Sequence, residues 1–279
     1  MPFKDFQTIL GKLKEMGTMQ VSIAGGEPSE HPDFRRFVSY ASEQGFLIHL
    51  VSHGEHIDLE MAEFLKAQHV DQVQINWQGR RNHDGVHGVQ GSYEKAASAL
   101  SHLAQAGIET TATITVGKYN LPYIDEIMQE AAAFNVTRLR VWEATGHGTP
   151  FLKGLEAASI FDRCREAAAK LDYVHCLSYD PVYQGDVSVP CLQFSNLFMY
   201  ISSRGKLDFC GAVPNPQELT DFLDPCLTGV DIRQIYLRRN KEILGDNAIY
   251  CASREGFKEK EGNAHPVKWM KQPAMNQLR

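Results

Sequence analysis

No cysteine precedes Cys164, and all six, Cys164, Cys176, Cys191, Cys210, Cys226 and Cys251, lie in the second half of the chain. Late clustering in a reducing compartment argues against a disulfide framework and leaves metal binding, redox use or burial. The sequence also lacks an apolar run near the roughly 18 residues of a membrane span. Its start, "MPFKDFQTIL", has no basic segment leading to an apolar segment and a small-residue cleavage site. These absences point to the cytoplasm and away from membranes. Basic excess is missing too: the formal net charge is −6, which excludes a global attraction to nucleic acid. Only Arg254–Arg279 leans the other way, with six Lys/Arg against three Asp/Glu, as a solvated end would.

What is present is an ordinary globular composition, 43% apolar and 22% charged, on a chain of 279 residues, long enough to bury a substantial core. From residue 5 to about 171, helical and strand-like segments alternate. A helix at Phe6–Glu15 precedes the strand "MQVSIAG". Helices at Asp33–Glu43, Leu59–Ala67, Tyr93–Gln105, Tyr123–Phe134 and Glu156–Leu171 then alternate with "FLIHLVS", "VDQVQIN", "IETTATITV" and "TRLRVWEA". Strands separated by helices are parallel, because each helix supplies a right-handed crossover. Each reads as a buried apolar run, as a sheet covered by helices requires. The fold class is α/β, a parallel sheet or barrel, and since the chain opens on a helix, a strand is missing at the front.

After about residue 172 the texture changes to pieces punctuated by Pro and Gly. "FMYIS", a turn at Ser203–Lys206 and "KLDF" read as a β-hairpin. The expected organisation is a barrel domain over 1–179, a small cysteine-bearing domain over 180–255 and a loosely ordered tail over 256–279.

Three constellations carry chemistry. Gly25, Gly26, Glu27 and Pro28 follow the first strand, where ligands of parallel sheets sit. Glycines let a small molecule approach the main chain, and Glu27 would hold or position a positive charge; the alternative is a tight strand-to-helix turn. Next, "INWQGRRNHDGVHGVQGSYEKA" reads as a long polar loop from Asn76 to a helix capped by Ser92. His83, Asp84 and His87 invite a metal reading there, without a diagnostic spacing. Third, Cys191 and Cys210 flank the hairpin as C-x13-G-x4-C, so two thiolates can converge on one metal or cluster. Cys226 and Cys251 are candidates to complete a four-thiolate site, while Cys164, in the helix "IFDRCREAAAKL", suits a buried structural thiol and Cys176 is ambiguous.

"VSIAGGEPSEHPDF" resembles the GGEP segment of radical S-adenosylmethionine (SAM) enzymes. The stretch from Val73 to Val116 is similar to the part of that family with a serine-leucine-aspartate-glycine strand end, a His-Asp pair and Gly-Ser-Tyr opening a helix. The cysteine hairpin resembles the start of the auxiliary-cluster domain called SPASM or, when shorter, twitch. The resemblance covers about residues 5–255. It implies a partial (β/α)6 TIM-like barrel in which a first [4Fe–4S] cluster cleaves SAM to a 5′-deoxyadenosyl radical that abstracts hydrogen from a substrate.

By matched position, the resemblance implies SAM contacts at Gly25, Gly26, Glu27 and Pro28, at Asn76 near the methionine carboxylate, and at Glu143 near the adenine. It implies an auxiliary [4Fe–4S] cluster of the twitch kind on Cys191, Cys210, Cys251 and Cys226. The substrate class it implies is a peptide or a small metabolite, with a reductant protein such as flavodoxin or ferredoxin for a catalytic member.

The family's C-x3-C-x2-C motif has no counterpart here. "VSHG" stands where Thr-Asn-Gly is common, and "INWQG" replaces the serine and aspartate. The sequence therefore reads as an N-terminally truncated fragment of a radical SAM enzyme, or as a non-catalytic relative that binds a peptide or a partner protein. A third reading is an ordinary α/β enzyme whose Gly25-Gly26-Glu27 turn binds a phosphate or sugar, with structural cysteines.

Overall fold

A computed structural model describes residues 1–117, 119–143, 154–171, 173, 177–180, 199–208 and 220–244. The chain divides into two compact units. One is Met19–Gly185; the other joins Met1–Thr18 to the residues from Asp186 onward.

The first unit is built on a six-stranded sheet in the order β1 (Gln20–Ile23), β2 (Leu47–Ser52), β3 (Gln72–Asn76), β4 (Glu109–Val116), β5 (Arg138–Glu143) and β6 (Leu177–Asp180), every neighbour parallel. Because spatial order follows chain order without reversal, right-handed crossovers all fall on one face of the sheet. This is the singly wound arrangement of a barrel, without the switch point of a doubly wound sheet. The crossovers carry α2 (Phe34–Glu43), α3 (Leu59–Ala67), α4 (Gly79–His87), α5 (Ser92–Ala106), α6 (Ile124–Ala132) and α7 (Gly154–Lys170).

Helices such as α2 form because their apolar residues fall on one stripe. In α2, Phe34, Phe37, Val38 and Ala41 are buried at the i, i+3, i+4, i+7 spacing. Asp58 caps α3 by accepting from the Met61 N–H at 2.8 Å, satisfying a donor that the first helical turn leaves unpaired. On the strands, Ile48 and Leu50, Val73 and Ile75, Ala112, Ile114 and Val116, and Leu139 and Val141 are all buried on the helix side.

Three sequence expectations change. A sixth strand, β6, pairs with β5 from Leu139↔Leu177 to Trp142↔Asp180; four residues of mixed polarity, "LSYD", were too short to show a period. The strands are not apolar on both faces: Gln72, Gln74 and Asn76, Thr111, Thr113 and Thr115, and Arg138, Arg140 and Trp142 alternate with the apolar set and share the opposite face. Finally, the polar stretch after Asn76 is not one long loop but contains α4, and α5 starts at Ser92 with Gly91 as its cap.

In the second unit, α1 (Phe3–Glu15) packs against α8 (Gly229–Leu244). Lys12 Nζ donates to the Asp224 carbonyl at 2.6 Å. The Gly229 N–H donates to Glu15 Oε2 at 2.6 Å, so a carboxylate from one helix closes the N-terminus of the other. β7 (Tyr200–Ile201) and β8 (Leu207–Asp208) pair antiparallel around Gly205, whose φ is +75°. A Cβ on Gly205 would lie 2.7 Å from Leu223 Cγ, so both backbone and space require glycine there.

Candidate functional site at the ends of β1 to β3

The turn after β1 is held by one side chain. Glu27 Oε1 accepts from the Ser29 N–H at 3.1 Å, from the Ser29 hydroxyl and from the Ser52 hydroxyl at 2.8 Å. Its Oε2 accepts from the His53 N–H at 2.6 Å. The carboxylate thereby joins the turn after β1 to the end of β2. It also caps the short 3-10 turn Pro28–Glu30, in which Pro28 is buried. The positive charge expected at Glu27 is replaced by internal donors.

Gly25 and Gly26 stand beside that clasp, exposed, and neither has a positive φ. A Cβ built on either would have nothing within 4 Å. Neither backbone conformation nor packing against the protein therefore asks for glycine. What side chains would fill is the open space over the main chain, which is where a ligand could approach it. Gly54 contrasts with them: its φ is +85° and a Cβ would lie 2.9 Å from Ala99 Cβ, so the chain needs glycine to leave β2 against α5.

Asn76, at the end of β3, is brought to the same place. Its side-chain amide nitrogen faces His53 Nδ1 at 3.1 Å. An amide nitrogen only donates, so Nδ1 accepts. His53 thus touches both Glu27, through its backbone, and Asn76, through its ring. Two more histidines extend from it: His87 meets His53 edge-on at 4.9 Å between ring centroids, and His83 stacks on His87 at 4.4 Å. Nothing in the spacing of these residues announced His53, because the link is made across neighbouring strands.

His83 is fully buried, and its Nδ1 accepts from the Gln78 N–H at 3.2 Å. The proton of the neutral ring then sits on Nε2, which has no partner among the described residues. Burial, reinforced by the neighbouring His87 and His53, lowers its pKa to about 4. Burial also lowers the pKa of His87, followed by the effect of His53. Asp84 is committed elsewhere: it accepts from the Gly91 N–H at 2.7 Å, the Tyr93 N–H at 2.9 Å, the Ser92 hydroxyl at 2.9 Å and Gln90 Nε2 at 3.0 Å. The backbone donors hold its carboxyl below the usual range. Asp84, not the hydroxyl of Ser92, therefore ties down the start of α5.

The metal reading of His83, Asp84 and His87 does not survive this geometry. Among the described residues, converging ligand atoms occur only at Glu30, Glu55 and His56, largely exposed, where His56 Nε2 lies 3.7 Å from Glu30 and Lys95 Nζ lies 3.9 Å from Glu55. Trp77, of the "INWQG" segment, is fully buried, donates its indole N–H to the Ile127 carbonyl at 3.2 Å and packs against Tyr93, His83 and Phe134. It is a core residue supporting α4.

Glu143 is the last residue of β5, in register with Val116. Cys226 is an exposed free thiol in the turn before α8, its N–H donating to Asp224 Oδ1 at 2.8 Å. Cys191, Cys210, Cys251 and Cys176 lie outside the described residues. Cys164 is fully buried in α7, and burial pushes its thiol up to about 12.

A singly wound parallel sheet with a bare glycine turn at its carboxyl end defines a class, and comparison with known proteins agrees with it. Residues 1–131 match the model of the Radical SAM superfamily. The chain is 33% identical over 151 residues to the mycofactocin maturase MftC of Mycobacterium ulcerans, covering 49% of this chain and 41% of that protein. It is 23% identical over 222 residues to the PqqA peptide cyclase of Granulibacter bethesdensis, covering 75% and 59%. The chain thus spans less than two thirds of either relative's length. In fold it is similar to Streptococcus suis SuiB, with a TM-score of 0.66 and 17% identity over 83% of this chain and 59% of that one. It is also similar to native anSMEcpe with bound AdoMet, with a TM-score of 0.67 and 13% identity over 87% and 74%. Among the described residues, no helix is long and apolar enough to cross a membrane.

Proposed function

We propose that this chain binds SAM at the ends of β1 to β3 and acts in the modification of a peptide. The observation that carries the reading is the pair Gly25 and Gly26, free of positive φ and of neighbours within 4 Å of a would-be Cβ, beside a carboxylate fully engaged in holding their turn. Main-chain groups of Gly25 to Pro28 would meet the amino group of the methionine moiety. Asn76 would meet its carboxylate, and Glu143 would lie toward the adenine. The peptide class is supported by similarity to PqqA peptide cyclase, and the bound AdoMet of the anSMEcpe structure supports the cofactor.

When bound beside a reduced [4Fe–4S] cluster, SAM supplies hydrogen abstraction. The residues present do not fit that radical-generating cluster: no cysteine lies in residues 1–131, and Cys164 is buried with a suppressed thiolate. The same observation favours a second reading, a non-catalytic relative that binds a peptide or a partner protein. In either case the proposal keeps an auxiliary [4Fe–4S] cluster with Cys191, Cys210, Cys251 and Cys226 as ligands; the sheet-bearing domain expected over 1–179 becomes Met19–Gly185, because Met1–Thr18 belongs to the unit that resumes at Asp186. A catalytic form would need a reductant protein such as flavodoxin or ferredoxin.

The test is anaerobic reconstitution with iron and sulfide, followed by iron analysis and SAM titration of the wild type and of Gly25→Ala, Gly26→Ala, Cys191→Ala and Cys210→Ala. The expected result is about four irons per chain, lost in both cysteine variants, and SAM binding lost in the glycine variants while their folding is unchanged. A wild type that takes up neither iron nor SAM would reduce the likeness to architecture alone.

A further inference from the structure

α8 buries one side and leaves the other bare. Ile232 and Tyr236, one turn apart, are buried, and Ile235 is half-buried beside them. On the opposite side Val230, Arg233, Gln234, Leu237 and Arg238 are all exposed. Their spacing, i, i+3, i+4, i+7 and i+8, is that of the stripe by which a helix meets a neighbour. Here the stripe faces solvent, with Val230 52% and Leu237 39% exposed. At 1.5 Å of rise per residue the two apolar side chains stand about 10.5 Å apart along the axis, with Arg233 and Gln234 between them and Arg238 beside Leu237.

Neither guanidinium is engaged: among the described residues, Arg233 and Arg238 make no ion pair and no side-chain hydrogen bond. The one carboxylate between Gly229 and Arg238, that of Asp231, is committed to the helix start, where it accepts from the Thr228 N–H at 2.9 Å and the Thr228 hydroxyl at 2.6 Å. The stripe is therefore cationic around its apolar pair, on a chain whose formal net charge is −6. Its cations are arginines, which contact surfaces favour because the planar, weakly hydrated guanidinium matches a carboxylate with two donors.

Charge separates the possible occupants. A second copy meeting this face through a two-fold axis would set arginines against arginines. The end of the chain is no better suited, because Arg254–Arg279 carries six Lys/Arg against three Asp/Glu. An anionic membrane would match the arginines, but the stripe offers only a valine and a leucine to insert, with no aromatic residue. An acidic polypeptide matches both the charge and the small apolar area.

We propose that the outer face of α8 docks an acidic segment of a partner protein, with Val230 and Leu237 against an apolar side chain and Arg233 and Arg238 paired with carboxylates around it. Exposed ion pairs are individually weak, so the apolar pair supplies the contact area and the arginines supply steering and selectivity. A face of about two and a half helical turns is small and suits a transient complex. This docking does not rest on the SAM site.

The test titrates two fluorescent synthetic peptides into the full 279-residue chain and follows their anisotropy. Both are helical with leucines on one stripe; one flanks them with glutamates, the other has glutamine at every glutamate. The acidic peptide should bind about tenfold or more tightly than the neutral one, and its affinity should fall as salt is raised. Arg233→Glu combined with Arg238→Glu should abolish that preference, and Val230→Ser combined with Leu237→Ser should weaken the acidic peptide by about tenfold. Should the charge reversal fold poorly, Arg233→Gln with Arg238→Gln removes the same charges and carries the same expectation. Hydrogen exchange in α8 should slow when the acidic peptide is added. A wild type that binds neither peptide, or both equally, overturns the proposal. So does a preference that survives the arginine variants, which would place the acidic peptide on another basic stretch. Vesicles of phosphatidylcholine and phosphatidylglycerol should not bind; binding that the arginine variants lose would make the face a membrane contact and overturn the protein partner.

Discussion

The backbone N–H of His53 donates to Oε2 of Glu27 at 2.6 Å, so a carboxylate that follows β1 is anchored at the end of β2. The charged residue of the glycine turn therefore works on the protein's own backbone, and the bare main chain beside it is what remains for a ligand.

Glu27→Ala removes the acceptor for four donors, two of them backbone N–H groups. Leaving these groups unpaired should cost about 2–3 kcal/mol of folding stability. Glu27→Gln, which keeps the shape and one acceptor oxygen but turns the other into an NH2 donor, should cost less. Urea denaturation of both variants checks this, and a Glu27→Ala protein as stable as the wild type would refute the clasp.

Asp84 gathers the Gly91 and Tyr93 amides and the Ser92 hydroxyl at the start of α5. Asp84→Ala should lower the melting temperature and increase hydrogen exchange in the first turn of α5. Because the native carboxyl is held below its usual pKa, chiefly by these backbone donors, its contribution is present above the unfolded value near pH 4 and is lost as pH falls through the native value. A thermal melt series from pH 7 down to pH 3 should show a smaller loss in Asp84→Ala than in the wild type.

His83 gives the opposite group the same sign. Its native pKa of about 4 lies below the ordinary 6.5, so the unfolded chain binds a proton between those values and the folded chain does not. Stability then falls as pH drops from 6.5 toward 4, by on the order of 2 kcal/mol from this group. His83→Phe keeps an aromatic ring against Trp77 and cannot titrate; its stability should change less across that window. Equal pH slopes in the two proteins would exclude the burial account.

Thiol labelling tests the cysteine assignments. Cys226 is exposed and Cys164 is buried with its thiol pushed up to about 12. Alkylation followed by peptide mass spectrometry should modify Cys226 in the native protein and Cys164 only after denaturation. If Cys226 is a cluster ligand, reconstitution with iron and sulfide should protect it. Labelling that continues undiminished in a protein that has taken up iron would remove Cys226 from the ligand set.

The alternation of helices and strands through residue 171 was legible because each element carries its own period, as Phe34, Phe37, Val38 and Ala41 do in α2. α4 was not: "GRRNHDGVH" has two glycines and no apolar stripe, and it is held by the buried Trp77, which lies outside the segment and packs against its His83. The polar face of the sheet was readable in "TTATITV", where threonines alternate with Ala112, Ile114 and Val116, but a run of β-branched residues masks which half faces the helices. The glycine turn stood out in the sequence, whereas the role of Glu27 did not. Its partner His53 follows another strand, β2, and local sequence carries no record of a contact 26 residues away.

The order of the sheet bears on how the chain is made. Every strand from β2 to β6 pairs with the one that precedes it in sequence, so each newly synthesised β/α unit meets a finished neighbour and closes a short loop. Glu27, His53 and Asn76, together with the Asp84 anchor of α5, can all be in place before β5 is translated. The ligand end of β1 to β3 would then be the oldest part of the sheet during folding, and β5, with Arg140, would complete the inner face afterwards.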